Sequence, residues 1–146
     1  MVLVRISLSL MAVVVAVASW LADYNHTHVF NSAWPPHARF HNAQTLMLAV
    51  VASVAALWLL WRPARSVAEG RFRFDMACFF VALYWLTATP GILLPGTAFE
   101  DPEHTGRLPV VAGVELNQTL IGLLWLAFVA LLWQLGRRAL VQRGNV

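Results

Sequence analysis

The residues of this chain that most directly suggest a chemical function are its histidines, some of which have the spacing of metal ligands. His26 and His28 are two residues apart, and His37 and His41 are four apart, a spacing that puts both imidazoles on one face of a helix. Imidazole pairs of this kind are acceptable ligands for a transition metal ion. We therefore predict His37 and His41 as candidate metal ligands. Cys78 is the single cysteine and excludes a thiolate cluster.

Two polar stripes with helical spacing precede apolar stretches of the chain. One comprises His37, His41, Gln44 and Thr45, and the other comprises Glu115, Gln118 and Thr119. Ionisable groups at membrane depth are costly unless they are paired or face a cavity. We therefore expect His41 and Glu115 to be functional, with Asp23 near enough to join them. The amide and hydroxyl groups fit either substrate contacts or interhelical hydrogen bonds.

Four apolar stretches must position these residues, at about residues 6–22, 43–61, 76–94 and 114–135. Each approaches the ~20 residues needed to span the hydrocarbon of a bilayer. Sixty per cent of the chain is hydrophobic and only 12% is charged, against about 25% charged in soluble domains. This composition disfavours a soluble enzyme, a disordered tail and a nucleic-acid-binding protein. We predict an all-α integral membrane four-helix bundle, a single domain over residues 1–146.

The ends of two stretches carry further signals. The first stretch also fits a cleaved signal peptide, whereas the polar run after it favours a retained helix. Pro35 and Pro36 suit the first turn of a helix, so the second helix should begin there.

The charges are distributed unevenly between the two sides of this bundle. Eight of the ten arginines lie near the termini and in residues 62–73, with two acidic residues, which gives +6. The other side carries two arginines, five acidic residues and all five histidines, which gives −3. Because cytoplasmic loops are rich in arginine, both termini should be cytoplasmic, in a multi-pass protein of the bacterial inner membrane. The second and fourth helices then run in the same direction, and their polar stripes should form an outward-facing pocket.

A short string at the start of the second helix is similar to one in a known family. The Ala-Arg-Phe-His of residues 38–41 resembles the Ala-Arg-x-His of the styrene oxide isomerase family, whose members are also small four-span proteins. The resemblance implies a b-type haem bound by His41 and a pocket lined by Tyr84. It also implies isomerisation of a small hydrophobic epoxide to a carbonyl compound. That family has an asparagine further along this helix, and here Asn42 or Gln44 would have to replace it.

A longer string resembles a second family. The Asn-x-x-Trp-Pro-Pro-His-Ala-Arg-Phe-His-Asn of residues 31–42 is similar to that of an uncharacterised family of small bacterial and fungal four-helix membrane proteins. We expect an isomerase whose partners are the lipid bilayer and a small hydrophobic substrate. A homo-oligomer fits this pattern as well.

Two alternatives to the haem isomerase remain open. Sterol isomerases of the emopamil-binding type use carboxylates and a histidine, without a cofactor, to move protons across a carbon–carbon double bond. Glu115, His41 and Asp23 offer the same residue types here. The second alternative is a non-catalytic protein that binds lipid or serves as an accessory subunit of a membrane complex. The candidate catalytic residues are Glu115, Tyr84, Asp23 and Asn42.

Overall fold

The computed structural model describes residues 1–106 and 108–144, and four long helices account for most of them. They are α1 (Val2–Asp23), α2 (Pro36–Trp61), α3 (Val67–Ala88) and α4 (Gln118–Gly144). All four are long and apolar enough to cross a membrane. Arg107, one of the two arginines on the predicted acidic side, lies outside the described residues.

The loops between these helices differ greatly in length. Residues 62–66 link α2 to α3 at the end of the bundle that also holds the N-terminus, and we call this the short-link end. Residues 24–35 and 94–117 occupy the opposite end, which we call the long-loop end. Two short 3₁₀ helices, Thr89–Leu93 and Pro102–His104, lie there together with the hairpin of β1 (Val110–Val111) and β2 (Val114–Glu115).

The helices α1 and α2 pack antiparallel along their whole length. At the long-loop end, the Asn42 side-chain amide donates to Asp23 at 2.9 Å. Near the middle, the buried Ser53 hydroxyl lies 2.7 Å from the carbonyl oxygen of Ala12. At the short-link end, the indole of Trp61 donates to a serine hydroxyl of α1 at 2.9 Å. Hydrogen bonds between helices are a usual means of joining apolar helices.

The helices α3 and α4 form a second antiparallel pair. The Trp125 indole donates to the Val81 carbonyl oxygen at 3.0 Å. Closer to the short-link end, the Trp133 indole and the Arg137 guanidinium both donate to Asp75, at 2.8 and 3.1 Å. These contacts fix the position of α4 along the axis of α3.

The prediction that the second and fourth helices pack against each other is wrong. In the described residues, α2 contacts α1 and α3 but not α4. The chain alternates direction from one helix to the next, and each helix packs mainly against its antiparallel neighbours in sequence. The two parallel helices α2 and α4 therefore occupy opposite corners, and their polar stripes are kept apart.

The buried core lies nearer the short-link end. It includes Leu8, Leu60, Phe74, Val81 and Leu132, each no more than 6% exposed. Alanines and a glycine allow close helix contact in this region, and the ring of Phe74 lies directly over Gly136. The bundle is thus tightly packed at one end, whereas the seam between α1 and α4 opens toward the long-loop end.

Two helix starts differ from the prediction, and in both a polar side chain caps the helix. The third helix begins at Val67, ahead of the predicted residue 76, because Ser66 accepts a hydrogen bond from the Glu69 amide at 3.1 Å. The fourth begins at Gln118, after the predicted residue 114, where Asn117 accepts from the Leu120 amide at 3.0 Å. Neither Ser66 nor Asn117 is apolar, so the hydropathy of the sequence does not indicate where these two helices begin. The predicted start of the second helix is confirmed, since α2 begins at Pro36.

Glu115 therefore does not lie on the fourth helix. It is exposed in β2, where it is paired with Val110 across a tight turn. The turn residues Ala112 and Gly113 have φ values of 51° and 79°. Positive φ at both central positions is the requirement of a two-residue hairpin turn. This hairpin places Glu115 away from the helix face on which it was expected.

Candidate functional site

A cavity of about 390 Å³ lies between α1, α3 and α4 at the long-loop end. We call it the seam cavity. Its wall is mostly aliphatic and aromatic, and its polar members are Ser19, Asp23, Tyr84, Trp85 and Gln118. This volume and this mixture of an apolar wall with a few polar groups are typical of small-molecule sites.

The carboxylate of Asp23 is the ionisable acid of the seam cavity. Asp23 is the last residue of α1, and its side chain is 17% exposed. Oδ2 accepts a hydrogen bond from the Asn42 amide at 2.9 Å, and Oδ1 lies 3.8 Å from Nε2 of His28. Asn42 therefore holds the carboxylate from the α2 side, while the second oxygen faces an imidazole.

The His28 ring is oriented by its neighbours in the first long loop. Its Nδ1 lies 2.7 Å from the Thr27 hydroxyl, which itself donates to Asn25 Oδ1 at 2.7 Å. A hydroxyl that donates to Asn25 accepts from His28, so the proton of the neutral ring is assigned to Nδ1. Nε2 then presents its lone pair toward Asp23, and a proton arriving at that nitrogen lies between the imidazole and the carboxylate.

A second cavity, of about 370 Å³, lies between the two long loops. We call it the loop cavity. His28, Trp34, Phe99 and His104 contribute to its wall, and Leu108 and Gln118 line both cavities. The loop cavity therefore adjoins the seam cavity, and His28 connects the loop cavity to Asp23.

Two buried donors near the junction of α3 with the first 3₁₀ helix lack partners in the described residues. They are Nε1 of Trp85, which lines the cavity, and the hydroxyl of Thr89 nearby on the same chain segment. A buried N–H without an acceptor costs about 1–3 kcal/mol.

The predicted site residues separate into two groups. Asp23 and Tyr84 line the seam cavity, together with Trp125, and Asn42 positions Asp23. Glu115, in the exposed hairpin, does not line the cavity. The two candidate metal ligands of α2 do not line it either. His28 was predicted only as one member of a possible ligand pair, because its approach to Asp23 depends on the fold of the loop.

His37 and His41 meet on the exposed face of α2. Their Nε2 atoms are 3.1 Å apart, and Nδ1 of His41 lies 3.2 Å from Oε1 of Gln44. Both rings are exposed. Among the described residues, no group of three or more histidine, cysteine or acidic side chains converges.

His41, the candidate haem ligand, lies outside both cavities described above. Its ring is exposed and lines neither of these cavities. The open groove of about 610 Å³ between α2 and α3 begins at Gln44 and holds neither a carboxylate nor an imidazole. Haem binding by His41 therefore stays a prediction.

Comparison with known proteins places this chain in a family. The chain belongs to DUF6640, a family of unknown function whose model matches residues 7–145. No curated protein matches the chain. No solved structure matches it either. The resemblance to styrene oxide isomerase thus receives no support from these comparisons.

Proposed function

We propose that this protein is a membrane-embedded isomerase that moves a carbon–carbon double bond of a small hydrophobic substrate by proton transfer. The observation that carries this proposal is the Asp23 carboxylate at a mostly apolar cavity, held by Asn42 and facing His28. A positioned carboxylate beside an apolar chamber can act as a general base on carbon. The aliphatic wall suits a substrate that partitions into lipid.

The reaction that fits these groups is the conversion of a β,γ-unsaturated ketone to its conjugated isomer. Asp23 removes the proton from the carbon between the carbonyl and the double bond, and the electrons form a dienolate. The Tyr84 hydroxyl, at the cavity wall, donates a hydrogen bond to the developing oxyanion. The proton then returns at the far end of the dienolate. Atoms and electrons balance, and Asp23 is regenerated without net redox.

His28 gives Asp23 a route for proton exchange with the loop cavity. In the assigned tautomer its Nε2 faces the carboxylate, so the imidazole can accept the proton that Asp23 has taken. Because the apolar wall keeps water away from the dienolate, the transferred proton should exchange with solvent at the His28 side of the Asp23 carboxylate. This predicts partial rather than complete exchange of the transferred proton with solvent.

The test uses the purified protein in lipid nanodiscs in D₂O with a panel of β,γ-unsaturated ketones. Mass spectrometry measures both the conjugated product and its deuterium content. We expect Asp23→Asn to lower the rate at least ~10²-fold, as is typical when a general base is removed. Tyr84→Phe, which keeps the ring but removes the hydroxyl donor, should lower it by about 10²-fold. Glu115→Gln is the matched control and should retain the wild-type rate.

Two outcomes would contradict the proposal. One is a wild-type protein that converts no member of the panel, which would favour the non-catalytic alternative of a lipid-binding protein or accessory subunit. The other is an Asp23→Asn variant as active as the wild type.

The epoxide-to-carbonyl reaction is a separate prediction, and the same preparation tests it. Small hydrophobic epoxides are added to the panel, and absorption spectra are recorded for the wild type and for His41→Ala. Conversion of an epoxide together with a Soret band, both lost in His41→Ala, would favour the haem mechanism over the one proposed here.

A further inference from the structure

We propose that His37 and His41 form a binding site for one divalent transition metal ion, separate from the seam cavity. The two Nε2 atoms are 3.1 Å apart on the exposed face of α2. Two imidazoles that bind one ion at 2.0–2.1 Å have nitrogens about 2.9 Å apart at a right angle and about 3.4 Å apart at a tetrahedral angle. The separation in this protein falls between these limits.

Gln44 orients the pair for an ion. Its Oε1 lies 3.2 Å from Nδ1 of His41, and an amide oxygen only accepts hydrogen bonds, so Nδ1 carries the proton. The lone pair of His41 is then on Nε2, which points at His37. A histidine ligand whose second nitrogen is held by an acceptor is the usual arrangement in metal sites. The helix fixes the spacing, so little side-chain freedom is lost on binding.

The ligand set determines which ions suit the site. Imidazole nitrogens favour Zn²⁺, Cu²⁺ and Ni²⁺, whereas Mg²⁺ and Ca²⁺ prefer oxygen. No third histidine, cysteine or acidic side chain joins the pair among the described residues. The remaining coordination positions therefore go to water or to a small ligand, which makes this an open site. Its position on the exposed side of α2 lets an ion enter without rearrangement of the bundle.

The test is a metal titration of the detergent-purified protein after removal of any affinity tag and of bound metal. Zn²⁺ is titrated in competition with a chromophoric chelator, and the electron paramagnetic resonance spectrum of added Cu²⁺ reports nitrogen ligands. We expect one ion per chain. His37→Ala and His41→Ala should each weaken binding at least ~10-fold, and Gln44→Ala by about 10-fold. Mg²⁺ should not compete.

The matched control is His26→Ala, since His26 is also exposed at the long-loop end but has no imidazole four residues away. This variant should bind Zn²⁺ like the wild type, as should Asp23→Asn, so failure of the isomerase proposal leaves this one standing. Unchanged binding in the double variant His37→Ala/His41→Ala would overturn the site. So would a wild type that binds no ion, or a ratio of one ion to two chains.

Discussion

Replacement of Gly136 by alanine tests the close packing of α4 on α3. A Cβ atom built at Gly136 would meet three atoms of the Phe74 ring, with Cε1 at 2.6 Å, Cε2 at 2.9 Å and Cζ closer still. Carbon atoms at ordinary contact are about 3.5–4.0 Å apart, so the ring must move. Phe74 is 4% exposed and belongs to the buried core. The void that Phe74 helps to line is about 10 Å³, which leaves the ring little space into which it can turn.

Two effects of opposite sign determine the free energy of unfolding of Gly136→Ala. In a helix interior alanine is favoured over glycine by about 1 kcal/mol. Overpacking of a filled core costs typically 1–3 kcal/mol, and overlap with three ring atoms places this site near the upper limit. We therefore expect a net destabilisation of about 2 kcal/mol. At about 2–4 °C per kcal/mol for a chain near this size, the melting temperature should fall by about 4–8 °C.

The assay can use the single cysteine of the chain as its reporter. Cys78 is buried in α3, so a thiol-reactive fluorescent dye labels it only as the protein unfolds. Gly91→Ala is the matched control, because a Cβ at Gly91 would meet nothing within 4 Å. This control should leave the melting temperature nearly unchanged.

A second protein background, Phe74→Leu, tests whether overlap with the Phe74 ring causes the destabilisation. In a Phe74→Leu protein the ring is absent, so a further Gly136→Ala change should be neutral or stabilising. A higher melting temperature for the single variant Gly136→Ala would mean that helix propensity exceeds the packing cost, and the reasoning would be refuted.

The remaining predictions concern the cap of α4 and the contact between α3 and α4. Asn117→Ala removes the acceptor of the Leu120 amide and should lower the free energy of unfolding by about 1 kcal/mol. Asn117→Asp keeps an acceptor and should retain most of the wild-type stability. Equal melting temperatures for the two variants would speak against the cap. Trp125→Phe removes the donor to the Val81 carbonyl and should cost about 0.5–1.5 kcal/mol. Trp125 also lines the seam cavity, so the Trp125→Phe variant should bind larger apolar ligands than the wild type does. A chromatographic panel of apolar probes measures this size limit. An unchanged size limit would contradict the position of Trp125 in the cavity wall.

The four helices were predictable because length and hydropathy alone determine which segments can cross a membrane. The start of α2 was predictable too, since Pro36 fits the first turn of a helix and few other places. The starts of α3 and α4 depend on Ser66 and Asn117, which are caps inside polar sequence. The hairpin depends on Ala112, a non-glycine residue at positive φ that a sequence pattern does not indicate.

The residue types that line the candidate site could be predicted from the sequence, but the location of this candidate site could not. Asp23 and Asn42 were candidates separately, and their hydrogen bond requires α1 and α2 to pack in one particular register. The expected pocket between the second and fourth helices assumed that parallel helices adjoin, whereas the alternating chain makes antiparallel helices neighbours. The role suggested for His28 follows from the turn that returns the loop toward Asp23. Such relations between distant residues are set by the tertiary fold.

Inserted in a bilayer, the bundle would respond to the bilayer thickness differently at its two ends. At the short-link end, α3 and α4 continue beyond their apolar stretches, and Trp133 and Arg137 both donate hydrogen bonds to Asp75 there. Such groups prefer the headgroup region and hold that end at a fixed depth. Hydrophobic mismatch must then be absorbed at the opposite end, where Asp23 lies at the last residue of α1. In a bilayer, lipid chain length would then set whether the mouth of the seam cavity opens among headgroups or among acyl chains.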